Sequence, residues 1–409
     1  MRVALTVLLI CTVSLLAAPR RGIAEPPTAA EQALVVGAGN HFALDVYAQL
    51  DRAQPGENLF FSPASISVAL AMTAAGARGP TAAEMAQVLR LDNQLAQAHA
   101  YYHELLKQWN AVDPKRPYQL RVANRLWGQR DYSLRPEFLA LTRQEYDAAM
   151  QLLDFAQADS ARREINQWVE KQTNDKIKDL VPAGAIDGTT RLVLTNAIYF
   201  KGDWLRPFAK DATRDQDFSV SAQRKVKVPL MRQTAVFGYG EEDSLQVLSM
   251  PYAGKDLSMV VLLPREADGL AELEKSLSLE RLQSLLSKLR SREVATYIPR
   301  FKLECSFGLE PTLEALGMKR AFSPEADFTG ISAHRGLYIS AVLHKAFVDV
   351  NEEGTEAAAA TGVFMTKSRV ARPPQTPPVF RADHPFLFLI CDTQSGAVLF
   401  MGRVANPGR

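Results

Sequence analysis

The sequence predicts an α+β fold. Three observations carry this. Helical periodicity dominates the first half of the 409 residues, strand-like segments dominate the second, and no regular strand–helix alternation or internal repeat links them. An apolar fraction of 47% supports a sizeable core. No stretch rich in Pro, Gly or Ser divides the chain, so residues 37–409 read as one domain of helices followed by large β-sheets.

The elements follow in order. Arg2 precedes an apolar run from Val3 to Ala18, Pro19-Arg20-Arg21 ends it, and Gly22-Ile23-Ala24 places small residues where a signal peptidase reads. The run is short for a membrane span, so residues 1–24 are expected to be a cleaved secretory signal and the protein to be secreted, extracellular or periplasmic. Cleavage removes three arginines and no acids, taking the formal charge from +2 to −1. Such a balance gives no electrostatic case for nucleic acid or an anionic membrane surface. Residues 25–36 read as a loosely ordered leader.

From Gly37, Phe42, Val46, Tyr47 and Leu50 share a helical face. Ser62 and Pro63 form a cap and first turn ahead of Ile66, Leu70 and Met72. Further helices are predicted after Gly79-Pro80-Thr81, over Leu95–Trp109, Ala161–Lys178 and Leu270–Leu289. Strands are predicted over Arg121–Trp127, Arg191–Phe200, Val226–Tyr239, Leu245–Pro251, Leu257–Leu263, Val294–Leu303, Leu337–Val350, Phe386–Ile390 and Ala397–Val404. The apolar run of Arg191–Phe200 fits a strand buried on both faces.

The sequence carries none of the common catalytic signatures. There is no Gly-x-Ser-x-Gly elbow, no His-Glu-x-x-His, no P-loop and no dinucleotide fingerprint. The six histidines form no metal-ligand spacing; His99 and His103 lie four apart on a predicted helix but lack an acidic or sulfur partner, so they read as surface or packing residues. No metal and no cofactor is expected. Once Cys11 leaves with the signal, Cys305 and Cys391 remain, and they read as free, partly buried thiols. No Asn-x-Ser/Thr sequon occurs, which leans towards a bacterial secreted protein.

The informative segment begins where the strand ending in Phe347-Val348-Asp349-Val350 stops. Gly354 provides a flexible joint, and Thr355 to Thr361 are almost all small. Read at period two, Thr355, Ala357, Ala359, Thr361, Val363 and Met365 form a face without charge that a sheet could bury. Four consecutive alanines also suit a helical turn, and a passive linker has the same composition, so pattern alone leaves the segment open. Lys367-Ser368-Arg369 follow, then Pro373-Pro374 and Pro377-Pro378, which hold the chain extended.

Several blocks together resemble the serpin family over about Gly37 to Pro407. Asn58-Leu-Phe-Phe-Ser-Pro-Ala-Ser-Ile is similar to its shutter helix, and Leu194-Thr-Asn-Ala-Ile-Tyr-Phe-Lys-Gly-Asp-Trp to its central strand and breach. The run from His344 to Ala358 resembles the hinge of inhibitory members, and His384-Pro-Phe-Leu-Phe-Leu-Ile with Phe400-Met-Gly-Arg-Val-Ala-Asn-Pro resembles the closing signature.

The resemblance implies a suicide-type inhibitor of serine proteases rather than an enzyme. Its exposed reactive-centre loop, about residues 352–380, is cut and then inserts into the main sheet. It implies a hinge at Glu352, Gly354, Thr355, Ala357, Ala358, Ala359 and Ala360, a shutter cluster of Ser62, Ser65, Asn196 and His344, and Trp204 at the breach. Family spacing from Gly354 puts the cut at Ser368-Arg369, with Lys367-Ser368 and Arg369-Val370 one residue to either side; the Pro-rich stretch adds length before His384. Lys367 or Arg369 implies a trypsin-like target, and Ser368 a protease preferring small residues. A cysteine protease is a further target class, and the protein is expected to be a monomer. The competing reading is a non-inhibitory serpin acting as carrier or chaperone; bulky or charged residues in place of Gly354, Thr355 and the alanines would favour it, and they are missing.

Overall fold

A computed structural model describes residues 26–92, 94–111, 116–148, 150–355 and 376–408. Residues 1–24, expected to be the signal, and Ala357 to Ala360, Lys367, Ser368 and Arg369 lie outside the described residues.

The first helix, α1 (Ala29–Ala53), starts well before Gly37, which corrects the reading of residues 25–36 as a loosely ordered leader. The cause is a capping box. Thr28 accepts from the Glu31 amide, and the Glu31 carboxylate accepts from the Thr28 amide at 2.8 Å. Next come β1 (Leu59–Phe61) and α2 (Pro63–Ala74), where Ser62 caps the helix and Pro63 opens it as predicted. α3 (Gly79–Val88), α4 (Leu95–Asn110), β2 (Tyr118–Gln129), α5 (Pro136–Tyr146) and β3 (Gln151–Leu153) follow. α6 (Ala158–Gln172) ends earlier than Lys178, because Asn174 and Asp175 take left-handed backbone at φ 51° and 60°.

β4 (Leu192–Asp203), β5 (Arg214–Ser221), β6 (Arg224–Glu241), β7 (Leu245–Pro251) and β8 (Leu257–Pro264) form the strand-rich middle. The single helix predicted over Leu270–Leu289 is two, α7 (Leu270–Ser276) and α8 (Leu279–Ser287), since Ser278 accepts from the Arg281 amide and starts a new helix. The strand predicted over Val294–Leu303 is also two, β9 (Arg290–Pro299) and β10 (Phe301–Gly308). Pro299 has no amide hydrogen to continue the ladder, and there the chain passes from one sheet to the other. α9 (Glu310–Leu316), β11 (Ile339–Val350), β12 (Gly354–Thr355), β13 (Val379–Arg381), β14 (Phe386–Asp392) and β15 (Val398–Val404) complete the described elements.

Two sheets result. One has nine strands in the order β1-β15-β14-β8-β7-β6-β9-β13, with β5 on β6. The other has six, β10-β11-β12-β4-β2-β3, with β11 also paired directly to β4. The main core packs α2 and the nine-stranded sheet against one face of the six-stranded sheet, through Leu194, Ile198, Val342 and Ala346. A second core covers the opposite face: α6 and the segment 177–186 pack on Val193, Ala197, Tyr199, Ala341, Leu343 and Phe347. β4 and β11 are therefore buried on both faces, as the continuous apolar run of β4 predicts.

Candidate functional site

The site grows from one seam. β4 and β11 run parallel and pair from Ala341↔Val193 to Phe347↔Tyr199. Beyond Tyr199 they part, and β12 lies between them, antiparallel to both, with Thr355 opposite Val350 on one side and Gly202 on the other. Gly354 faces Asp203 so closely that a Cβ at 354 would stand 2.1 Å from the Gly202 carbonyl oxygen. Only glycine fits there, a reason beyond the flexibility inferred from sequence.

The turn from Val350 to Gly354 is bonded on all sides. The Asn351 amide donates to the Gly354 carbonyl at 2.9 Å, and the Phe208 and Trp204 amides donate to the carbonyls of Glu352 and Glu353, both at 2.8 Å. The Glu352 side chain is buried, and both its oxygens accept from Arg300 Nε at 2.8 Å, with a further bond from Thr213. Burial alone would raise the Glu352 carboxyl, but the bonds from Arg300 and Thr213 outweigh it and hold the group below the usual carboxylate range. Trp204 stacks on Tyr252 with centroids 4.6 Å apart and donates its indole N–H to the Asn351 carbonyl at 2.9 Å. The Tyr252 and Thr355 hydroxyls lie 2.9 Å apart.

Farther along the same seam lies a buried polar cluster. His344 and Asn196 are direct register partners, and Nδ1 of His344 bonds Oδ1 of Asn196. Nε2 of His344 accepts from the Ser62 amide at 3.1 Å, and Asn196 Nδ2 donates to the Ser65 carbonyl at 2.8 Å and to its hydroxyl at 2.6 Å. The Ser62 hydroxyl donates to the Leu399 carbonyl at 2.7 Å, which ties the cluster to the other sheet. Ser62, Ser65, Asn196 and His344 thus meet at one point, while Trp204 stands apart at the opened end. Asn124, Arg300, Thr213 and Tyr252 belong to these contacts and were not anticipated from the sequence. Asn124 left a signal: it is a lone amide between Val122 and Leu126 on the face of β2 that meets the main core.

Burial holds the His344 imidazole near pH 3, an effect the Asn196 bond only partly offsets. His99, half-buried against Tyr146, is lowered to about 4 by desolvation as well. Both folded-state values are lower than the ordinary value of about 6.5, so as pH falls below it the unfolded chain takes up protons that the folded chain refuses. Each histidine should therefore cost about 1.4 kcal/mol of stability per pH unit on the way from pH 6.5 towards 4. His384 is raised instead; burial lowers it, but Asp383 and the Pro264 carbonyl more than compensate, so its share is lost as pH rises. Urea midpoints taken between pH 6.5 and 5 should show the net acid-side loss, and His344→Gln should remove about half of the slope due to the two lowered histidines. An unaltered slope would show that His344 is not the buried neutral base described.

Cys305 and Cys391 are free thiols, pushed up by burial to about 11 and about 12, so both are poor nucleophiles. Among the described residues no group of three or more His, Cys, Asp or Glu side chains is placed to hold a metal.

A family model described as "Serpin (serine protease inhibitor)" matches residues 37–407. The chain belongs to the serpin family. It is 43% identical over 379 residues to the leukocyte elastase inhibitor of Bos taurus, covering 90% of this chain and 98% of the relative. It is also 43% identical over 374 residues to a serpin-like protein of Thermococcus kodakarensis, covering 91% and 86% of the two chains. Among solved structures, uncleaved ovalbumin superposes with a TM-score of 0.82 at 33% identity, covering 91% of this serpin and 100% of ovalbumin. Human thyroxine-binding globulin with its hormone superposes with a TM-score of 0.84 at 29% identity, covering 92% and 99%. The α+β architecture of this serpin is thus the serpin fold, and the opened end of its six-stranded sheet is where Glu352, Gly354 and Thr355 sit.

Proposed function

We propose that this serpin is a suicide-type inhibitor of serine proteases that traps its target as an acyl-enzyme. The observation that carries the reading is the position of Gly354 and Thr355 between β4 and β11, at the head of a seam whose continuation pairs those strands directly. The protease nucleophile attacks the carbonyl carbon before the cut bond, the amine of the downstream segment leaves, and an ester joins the protease to the upstream segment. That segment enters the sheet behind Thr355, and each step exchanges a parallel ladder for two antiparallel ones. About a dozen new ladder bonds at roughly 1 kcal/mol each supply on the order of 10 kcal/mol. Small residues at 357–360 keep entry fast relative to ester hydrolysis.

In this reading Ser62, Ser65, Asn196 and His344 act as the shutter that exchanges partners as the seam opens, and Trp204 marks the breach. Lys367 or Arg369 donates the acyl group to a trypsin-like protease; Ser368 in that role would suit a protease preferring small residues. The relatives named elastase inhibitors support a serine protease target, and a cysteine protease is a second class. The protein is secreted after loss of residues 1–24 and acts as a monomer. The likeness to thyroxine-binding globulin gives the carrier reading its one support, and the small, uncharged residues Gly354, Thr355 and Ala357 to Ala360 speak for inhibition.

Incubation with trypsin, followed by a denaturing gel and mass spectrometry, is expected to give an SDS-stable complex and a released peptide that identifies the cut bond. Complete cleavage without any such band, for trypsin and for a protease preferring small residues, would reject the inhibitor reading.

A further inference from the structure

Two hinge residues already occupy the sheet in the uncleaved chain, and something must hold them there. Gly354 has no side chain to do so. Thr355 is fully buried, and its hydroxyl meets the Tyr252 hydroxyl at 2.9 Å. Tyr252 is also fully buried, and among the described residues neither hydroxyl has another hydrogen-bond partner. Separating the pair would thus leave two buried polar groups unsatisfied.

The ring of Tyr252 is itself fixed. It is stacked on Trp204 at 4.6 Å and meets the edge of Phe200 at 5.0 Å. Gly202, the β4 partner of Thr355, lies directly beneath: a Cβ at 202 would come 2.7 Å from the Phe200 ring and 3.0 Å from Tyr252 Cδ1. A glycine at 202 therefore lets the tyrosine lie over the exact pair that begins the inserted strand. Trp204 also holds the other end of the turn through the Asn351 carbonyl, so one aromatic pair clasps both sides of residues 351–355.

We propose that Tyr252 is a positioning residue for strand insertion: its hydroxyl keeps Thr355, and with it Gly354, seated as the first step of the new strand before any cut, and it selects a hydroxyl side chain at position 355. The proposal rests on the insertion mechanism above. Ordering the first residues of a strand costs conformational entropy with few bonds in return. A chain that holds this step in advance starts insertion from a formed end, and the acyl-enzyme has less time to hydrolyse.

The test uses the full-length, uncleaved protein and three variants, Tyr252→Phe, Thr355→Val and Thr355→Ser. Hydrogen–deuterium exchange of peptides covering residues 350–355 should be about tenfold faster in Tyr252→Phe and Thr355→Val, the equivalent of one lost hydrogen bond, and unchanged in Thr355→Ser. Exchange in β8 serves as the control for global loosening. The double variant Tyr252→Phe/Thr355→Val should exchange no faster than Thr355→Val alone. The number of inhibitor molecules consumed per trypsin trapped should rise several-fold in Tyr252→Phe and stay at the parent value in Thr355→Ser.

Parent-like hinge protection in Tyr252→Phe overturns the proposal. So does faster exchange with an unchanged stoichiometry, which would make the contact a clasp without influence on insertion. If the parent protein forms no complex with any protease, the inhibitor reading fails on that result alone, whereas the exchange measurement still decides whether Tyr252 seats the hinge.

Discussion

Thr355→Arg is expected to turn this serpin from an inhibitor into a substrate. Position 355 is fully buried between β4 and β11 and faces the Tyr252 hydroxyl. A guanidinium there would lose its water, and the polar group it meets is the neutral Tyr252 hydroxyl. Asp203 is the partner of Gly354 in the adjacent pair, and its side chain leaves the sheet on the other side. An unpaired buried charge costs several kcal/mol, enough to keep the hinge out of the seam and give hydrolysis of the ester time to win. The yield of SDS-stable complex should fall at least about tenfold, while the chain is still cut and urea unfolding is little changed. Undiminished complex would show that residue 355 does not enter the sheet.

Asn196→Ala should produce the largest loss of stability of any single change in the polar cluster. It removes the partner of His344 Nδ1 and one donor to the Ser65 carbonyl and hydroxyl, in a cluster whose four residues are all buried. His344 Nδ1 is then left unsatisfied, while the Ser65 carbonyl and hydroxyl keep their bonds to Asn124, so a loss of about 1–3 kcal/mol is expected from urea midpoints. A loss below about 1 kcal/mol would mean that the cluster closes around the gap and that Asn196 is not its hub.

The elements legible in the sequence are those with a local cause. Ser62-Pro63 announces α2, and the apolar runs of β4, β7 and β8 mark strands with both ends nearly in place. The errors also had local causes: a threonine three residues ahead of a glutamate started α1 early, and Ser278 and Pro299 each divided what periodicity joined. α9 went unpredicted because it is short, β5 because its apolar positions are few, and α5 because its apolar residues bunch at Phe138 to Leu141 rather than recurring along one face.

Family motifs placed Ser62, Ser65, Asn196, His344 and Trp204, and the structure shows what each touches. Tyr252 was invisible because nothing near it in sequence marks it; its role comes from Trp204 and Thr355, brought to it by the fold. Arg300 likewise has meaning only through Glu352, and it stands where the chain crosses between sheets.

The pairing of Asn196 with His344 has one more implication. The two belong to strands that are now neighbours. A strand laid between β4 and β11 would set them two inter-strand spacings apart, about 9.6 Å, which no side-chain hydrogen bond of this kind spans. The imidazole must then trade its amide partner for another group, and its ring nitrogens would change their chemical shifts. His344 is in that sense an isotopic label position supplied by the protein itself: a single nitrogen-15 resonance would count native and inserted molecules in a mixture without a dye, an engineered tryptophan or a protease assay.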